Sequence, residues 1–233
     1  MSEVLVSGKS SFKIEVPYKL IETGIKGKKP LIVYLHGFKQ NIALFEKLTS
    51  ELKTVEAYHL FIQAPYPVFD HTKSRKVEEW GRSWYLYDGE QDQFIKSLEL
   101  ASEFIQEVID TLLPNLNVSR VCLFGYSMGG YLGGYFAMSR WKHVNEAIIV
   151  GARIKTEVFE DKLEQVEHIK FLAIHGEYDS SVLAEPQAKE IKKLIAFGID
   201  AKFALLKEKH KLTRPFLDTA KEWLKSIGYI IIS

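Results

Sequence analysis

Cysteine is nearly absent from this chain of 233 residues. Cys122 stands alone, so no disulfide can close within the chain and no zinc site built on cysteine pairs can be assembled. That usage points to an intracellular, cytoplasmic protein. Charge of one sign is missing as well. The 31 Lys and Arg are balanced by 30 Asp and Glu, a formal net charge of +1, and both signs are scattered along the chain. Neither nucleic acid nor an anionic membrane is therefore an expected partner. No apolar run approaches the ~18 residues of a membrane span, and residues 1–10 lack the basic start and apolar stretch of a signal peptide. The expectation is a soluble, unprocessed chain. Repeats, low-complexity tracts and linkers rich in Pro, Gly or Ser are lacking too. A second domain has nowhere to begin, so residues 1–233 read as one domain, long enough to bury about 70–75% of the unfolded surface.

What is present is a 46% hydrophobic chain with two kinds of pattern. Two β-rich segments come first, Glu3–Val6 and Phe12–Leu20; in the second, Phe12, Ile14 and Val16 alternate with polar residues. Short continuous apolar runs follow, at Leu31–Leu35, His59–Ile62, Arg120–Phe124, Glu146–Val150, Ile169–Ile174 and Ala201–Leu206. Between them lie helical patterns at Ile42–Leu52, Asp92–Leu113, Met128–Arg140, Ala184–Phe197 and Thr213–Ile227, the last with Thr213 as cap. Buried runs alternating with helices predict an α/β fold, a mostly parallel central sheet with helices on both faces. The tail Tyr229–Ile232 reads as a buried or edge-packed terminal strand in preference to an interaction segment. Residues Pro65–Gln91 lack periodicity but carry Trp84, Tyr85 and Tyr87, rings that either line a pocket for an apolar group or pack the loop onto the body.

The sharpest motif is Gly125-Tyr126-Ser127-Met128-Gly129, a G-x-S-x-G between an apolar run and a helical pattern. Such a turn strains the serine backbone, crowds positions 125 and 129 and exposes the Ser127 hydroxyl beside the free N–H groups of a helix start. A hydroxyl is a weak nucleophile until a base removes its proton. Of seven histidines, His210 lies after the last parallel run, at the sheet edge where Ser127 is expected. His175 and His36 follow strands in similar His-Gly pairs, His36 reading as a buttress; His59, His71, His143 and His168 read as ordinary polar residues. The carboxylate that orients the base is expected at Asp179, with Glu177 its near rival; Asp200 precedes its strand and falls at the opposite edge. Backbone N–H groups of Phe38 and Met128 are placed to form an oxyanion hole.

These residues resemble the phospholipase/carboxylesterase group of α/β-hydrolases, which includes the acyl-protein thioesterases. The likeness runs from Leu31 to about Ile227 through Leu35-His36-Gly37, Gln63-Ala64-Pro65, Ser83-Trp84-Tyr85, the Ser127 motif and His175-Gly176-Glu177-Tyr178-Asp179. It implies a compact hydrolase with no large lid domain and no metal or other cofactor, with Ser127, Asp179 and His210 as its triad. The expected activity is cleavage of small carboxylic esters through an acyl-enzyme. The alternatives are a thioesterase acting on acylated proteins or small thiols, and a ligand-binding protein that keeps the fold without turnover. Three departures stand out. Lys209 replaces the family's glycine before the histidine, Ser180-Ser181-Val182-Leu183 lacks its proline, and Trp84-Tyr85-Leu86-Tyr87-Asp88 replaces its Trp-Phe-Asp run. Oligomeric state is left open by the sequence.

Overall fold

A computed structural model of the chain describes residues 6, 8, 10, 13–72 and 74–232. Among the described residues seven strands form one sheet: β1 (Tyr18–Glu22), β2 (Lys29–Leu35), β3 (Tyr58–Ile62), β6 (Val118–Tyr126), β7 (Glu146–Val150), β8 (Lys170–Gly176) and β9 (Ala201–Leu206). Two short strands, β4 (Tyr66–Pro67) and β5 (Arg82–Ser83), pair separately. The sheet order is β1-β3-β2-β6-β7-β8-β9; only β1 runs antiparallel, along the edge of β3.

Among the described residues five α-helices cover it: α1 (Ile42–Leu48), α2 (Gln91–Leu112), α3 (Met128–Ser139), α4 (Ala184–Ala196) and α5 (Arg214–Ser226). Side chains alternate along the strands, so Leu31, Val33 and Leu35 pack with α2, α3 and α4, whereas Ile32 and Tyr34 pack with α1 and α5. In α2, Phe94, Leu98, Ala101, Ile105 and Val108 repeat at three- and four-residue steps and are all buried. Pro114, in the 3-10 turn that follows, prevents the helix from continuing. Helix α3 is buried around nearly its whole circumference, because four glycines and apolar residues let it press against β2, β6 and β7.

The structure shifts several expected boundaries. The first described strand is Tyr18–Glu22 rather than Phe12–Leu20. Ile14 is exposed, and Pro17, which has no N–H to pair, contributes only its carbonyl, to Gln63 N–H. The strand expected at Glu3–Val6 lies outside the described residues except for Val6, which is exposed. Helix α1 stops at Leu48, where Thr49 turns its hydroxyl back onto Phe45 O, and a 3-10 turn over Ser50–Thr54 completes the segment. The tail forms one bridge, Ile231 to Val55, instead of a full strand. Thr213 occupies the N-cap position of α5 but makes no side-chain cap bond.

Strand register brings the functional loops to one edge. Leu35 sits opposite Gly125, Tyr126 opposite Val150, and Gly176 opposite Leu206, so the loops after β2, β6, β8 and β9 leave the sheet at the same level. No helix of the described residues is long and apolar enough to cross a membrane.

Candidate active site

Ser127 sits between β6 and α3 with φ 53° and ψ −118°, a conformation rarely taken by a residue with a side chain. Such a backbone costs on the order of 1–3 kcal/mol and persists only where its surroundings fix it. Here Ser127 N–H donates to Val150 O (2.8 Å), while its carbonyl accepts from Gly130 and Tyr131 at the start of α3 (2.8 and 3.1 Å). The flanking glycines have no room for a side chain. A Cβ at 125 would lie 2.3 Å from Gly129 O, and one at 129 would lie 2.1 Å from Leu35 O.

The Ser127 hydroxyl lies 2.8 Å from His210 Nε2, and His210 Nδ1 lies 2.6 Å from Asp179 Oδ2. Because the carboxylate can only accept, Nδ1 carries the proton and Nε2 presents a lone pair to the serine. Asp179 is buried, and its Oδ1 accepts from Ser181 and Val182 N–H, both at 2.9 Å. His210 stacks on Tyr126, with ring centroids 5.6 Å apart and planes at 28°. Burial, and then the nearby Asp179 charge, push the Tyr126 hydroxyl up to about 12, so the ring serves as a neutral platform.

The two loops that carry His210 and Asp179 are joined through their backbones. Glu177 N–H donates to Leu206 O (2.7 Å) and Tyr178 N–H to Glu208 O (2.9 Å). Gly176 makes this approach possible, since a Cβ there would lie 2.4 Å from Glu208 O. Lys209, where the family resemblance led one to expect glycine, is not among the residues with positive φ, so its side chain is carried without backbone strain. A bond crosses the loop after Asp179: His175 Nε2 donates to Val182 O at 2.8 Å. His175 is fully buried, its Nε2 3.6 Å from Asp179 Oδ2, the same oxygen that His210 Nδ1 meets, and burial lowers its pKa. Glu177, the rival acid, is exposed, and Asp200 pairs with Lys170 at the far edge.

Met128 opens α3, so its N–H has no intrahelical acceptor. Phe38 follows Gly37 in the loop after β2; its N–H bonds to no described residue, and its ring is half exposed. The loop is pinned by His36, expected as a buttress, and by two glutamines to which the sequence assigned no role. Gln40 Oε1 accepts from Gly37 N–H (2.7 Å), Gln63 Oε1 from Ile42 N–H (2.8 Å), and His36 Nε2 from Ala64 N–H (3.2 Å). His36 Nδ1 then donates to Gly37 O (2.8 Å), and burial lowers its pKa to about 4. No spacing rule marks these glutamines; the tertiary approach of β2, β3 and α1 gives them their role.

Of the two alternatives for the aromatic loop, Trp84 and Tyr85 take the packing one. Trp84 is fully buried, its Nε1–H donating to His36 O at 2.7 Å, and Tyr85 is buried against Phe94. These two rings are anchors beneath the loop and offer almost no surface to a substrate. Tyr87, 55% exposed, is the only member of the trio able to line a cleft.

Comparison with known proteins agrees with this architecture. Residues 16–227 match the phospholipase/carboxylesterase family. Among solved structures, the esterase PE8 superposes with a TM-score of 0.72 at 21% identity, covering 92% of this chain and 100% of that one. Arabidopsis thaliana SOBER1 gives a TM-score of 0.68 at 19% identity, with 85% and 98% covered. Zea mays acyl-protein thioesterase 2 gives 0.67 at 18% identity, with 90% and 98% covered. Among curated proteins no sequence match was found. With almost its whole length matched, the chain belongs to the phospholipase/carboxylesterase family of α/β-hydrolases.

Proposed function

We propose that the chain is a single-domain cytoplasmic serine hydrolase that cleaves carboxylic esters, with Ser127 as nucleophile, His210 as base and Asp179 as the acid that orients it. The observation that carries this reading is the continuous relay Ser127 Oγ to His210 Nε2 (2.8 Å) and His210 Nδ1 to Asp179 Oδ2 (2.6 Å) on a strained elbow.

The chemistry follows from the proton positions. His210 Nε2 takes the Ser127 proton as Oγ bonds to the acyl carbon, and the carbonyl electron pair moves onto oxygen. The N–H groups of Phe38 and Met128 receive that oxyanion; one such donor typically contributes ~3 kcal/mol in the transition state. Asp179 stabilises the imidazolium without taking its proton. Collapse expels the alcohol, protonated by His210 Nε2, and leaves Ser127 acylated. Water, deprotonated by the same nitrogen, then releases the acid and restores the serine.

A thioester carbonyl presents the same electrophile, and the Zea mays neighbour bears the name acyl-protein thioesterase, which supports thioesters as the second substrate class. Rates on matched oxygen and sulfur esters separate the two. The central test is a panel of p-nitrophenyl esters with wild type and Ser127→Ala, together with labelling by a fluorophosphonate. Turnover and labelling that both vanish in Ser127→Ala, a loss on the order of 10³-fold or more, support the hydrolase. A wild type that neither labels nor turns over any ester points to the binding-protein reading.

A further inference from the structure

One aromatic ring meets three of the loops that build the site. Tyr126 ends β6 immediately before Ser127, and strand alternation turns its side chain to the face of Tyr34, Phe124 and Val150. A Cβ on Gly37, in the loop that carries Phe38, would lie 3.0 Å from Tyr126 Cδ1 and 3.1 Å from its Cε1. On the loop after β7, a Cβ on Gly151 would lie 3.7 Å from Tyr126 Cε2, and 3.4 and 3.5 Å from Cε1 and Nδ1 of His210. Gly151 has φ 57°, the left-handed region that glycine takes without strain. Backbone without a side chain therefore packs on the Tyr126 ring from two loops, and the third, after β9, lays His210 against it with centroids 5.6 Å apart.

The contact joins an aromatic face to a ring that changes charge. When Ser127 Oγ bonds to the acyl carbon and hands its proton to His210 Nε2, the imidazole becomes an imidazolium. The negative face of an aromatic ring attracts a cation within about 6 Å of its centroid, and more strongly where water is excluded. Tyr126 is 7% exposed and the His210 side chain 20%. The other ionisable groups around His210 are Asp179 at 2.6 Å, the buried His175 against the same carboxylate oxygen, and Glu208, Lys209 and Lys211 on its own loop. Asp179 meets the ring at its Nδ1 edge; among the described aromatic side chains Tyr126 alone stacks on its face.

We infer that Tyr126 is a positioning residue for the base: its ring holds His210 in line with Ser127 and its face stabilises the imidazolium that forms as the serine attacks. The role rests on the hydrolase reading above and adds to it a group outside the triad and the oxyanion donors. It gives the variable position of the Gly125-Tyr126-Ser127 turn a chemical requirement, an electron-rich ring. Because the same ring packs on Gly37, base and oxyanion loop share one support.

The test compares Tyr126→Leu, Tyr126→Phe and a series in which Tyr126 is replaced by phenylalanines bearing one, two and three ring fluorines. Each fluorine drains negative potential from the ring face with little change of shape. On p-nitrophenyl acetate, Tyr126→Leu should lower kcat and kcat/KM together by about tenfold at unchanged KM, the sign of an interaction made in the transition state. Tyr126→Phe, which keeps the ring, should recover most of that loss, and the fluorinated series should decline stepwise from it. A flat fluorine series, even beside a slow Tyr126→Leu, overturns the imidazolium role, because packing alone does not sense the potential of the ring. A wild type that hydrolyses no ester overturns the hydrolase reading instead. The His210 ring carbons, followed by NMR as acid is added without substrate, then decide the stacking by itself. The imidazolium signal should appear at lower pH as fluorines accumulate, since a charged form that loses its stabiliser needs more acid to form; a titration that does not move refutes the role.

Discussion

At the scale of single residues, two histidines flank Asp179 and chemistry distinguishes them. His210 offers a free Nε2 to Ser127, whereas His175 Nε2 is engaged with Val182 O and its Nδ1 has no partner among the described residues. His210→Gln is expected to lower the acylation rate by on the order of 10³-fold or more, measured as the release of p-nitrophenol, with the circular dichroism spectrum unchanged. His175→Gln, whose amide can still donate to Val182 O, should keep activity within about tenfold of wild type. The reverse pattern would falsify the choice of base. For Asp179→Asn the imidazole loses its anionic partner and can adopt the wrong tautomer, so kcat should drop by about 10⁴-fold while the backbone bonds that join the two loops hold the geometry.

At the scale of elements, the site depends on three close approaches in which glycine replaces a side chain. Gly176→Ala is the cleanest probe, because its Cβ would meet Glu208 O on the loop that carries His210. The expected outcome is a folded protein whose kcat/KM falls by about 10²-fold, the effect of moving a catalytic group by an ångström. A shift of His210 away from Asp179, seen in the NMR signal of the Nδ1 proton, is the accompanying structural readout; full activity would show that the loops tolerate separation. The clamp under the other sheet edge tests stability rather than chemistry. Tyr229 donates to the buried Glu146 (2.8 Å), which also pairs with Arg120 (2.9 Å). Tyr229→Phe should lower unfolding free energy by about 1–3 kcal/mol, since a buried acceptor loses its partner, and leave esterase rates unchanged.

At the scale of the whole molecule, two fully buried histidines couple stability to pH. Burial lowers the pKa of His36 and His59 from 6.5 to about 4. Both are neutral in the fold: His59 accepts from the Tyr34 hydroxyl at Nδ1 (2.9 Å) and donates from Nε2 to Val55 O (3.0 Å). Between pH 6.5 and about 4 the unfolded chain therefore binds more protons than the folded one, and stability falls as pH drops through that window. Each histidine can account for at most about 3 kcal/mol when the window is fully crossed. The urea midpoint should thus be lower at pH 5 than at pH 7, with a slope that flattens in His59→Gln. A midpoint independent of pH would show that these rings are not buried neutral.

The sequence by itself determined the run of elements, the parallel sheet and the elbow, because period-two and period-3.6 burial and the G-x-S-x-G sterics are local constraints. The positions of His210 and Asp179 were legible for a related reason: parallel strands deliver every following loop to one edge. Tertiary structure alone decided which rings anchor and which are exposed. Trp84 reaches His36 O across 48 positions, a partner that no local pattern could announce. It also decided that the early strand begins after Pro17 and that His175 ties the loop after Asp179 through Val182 O. These outcomes depend on which surfaces meet when the sheet is covered, and side-chain chemistry read along the chain does not contain that information.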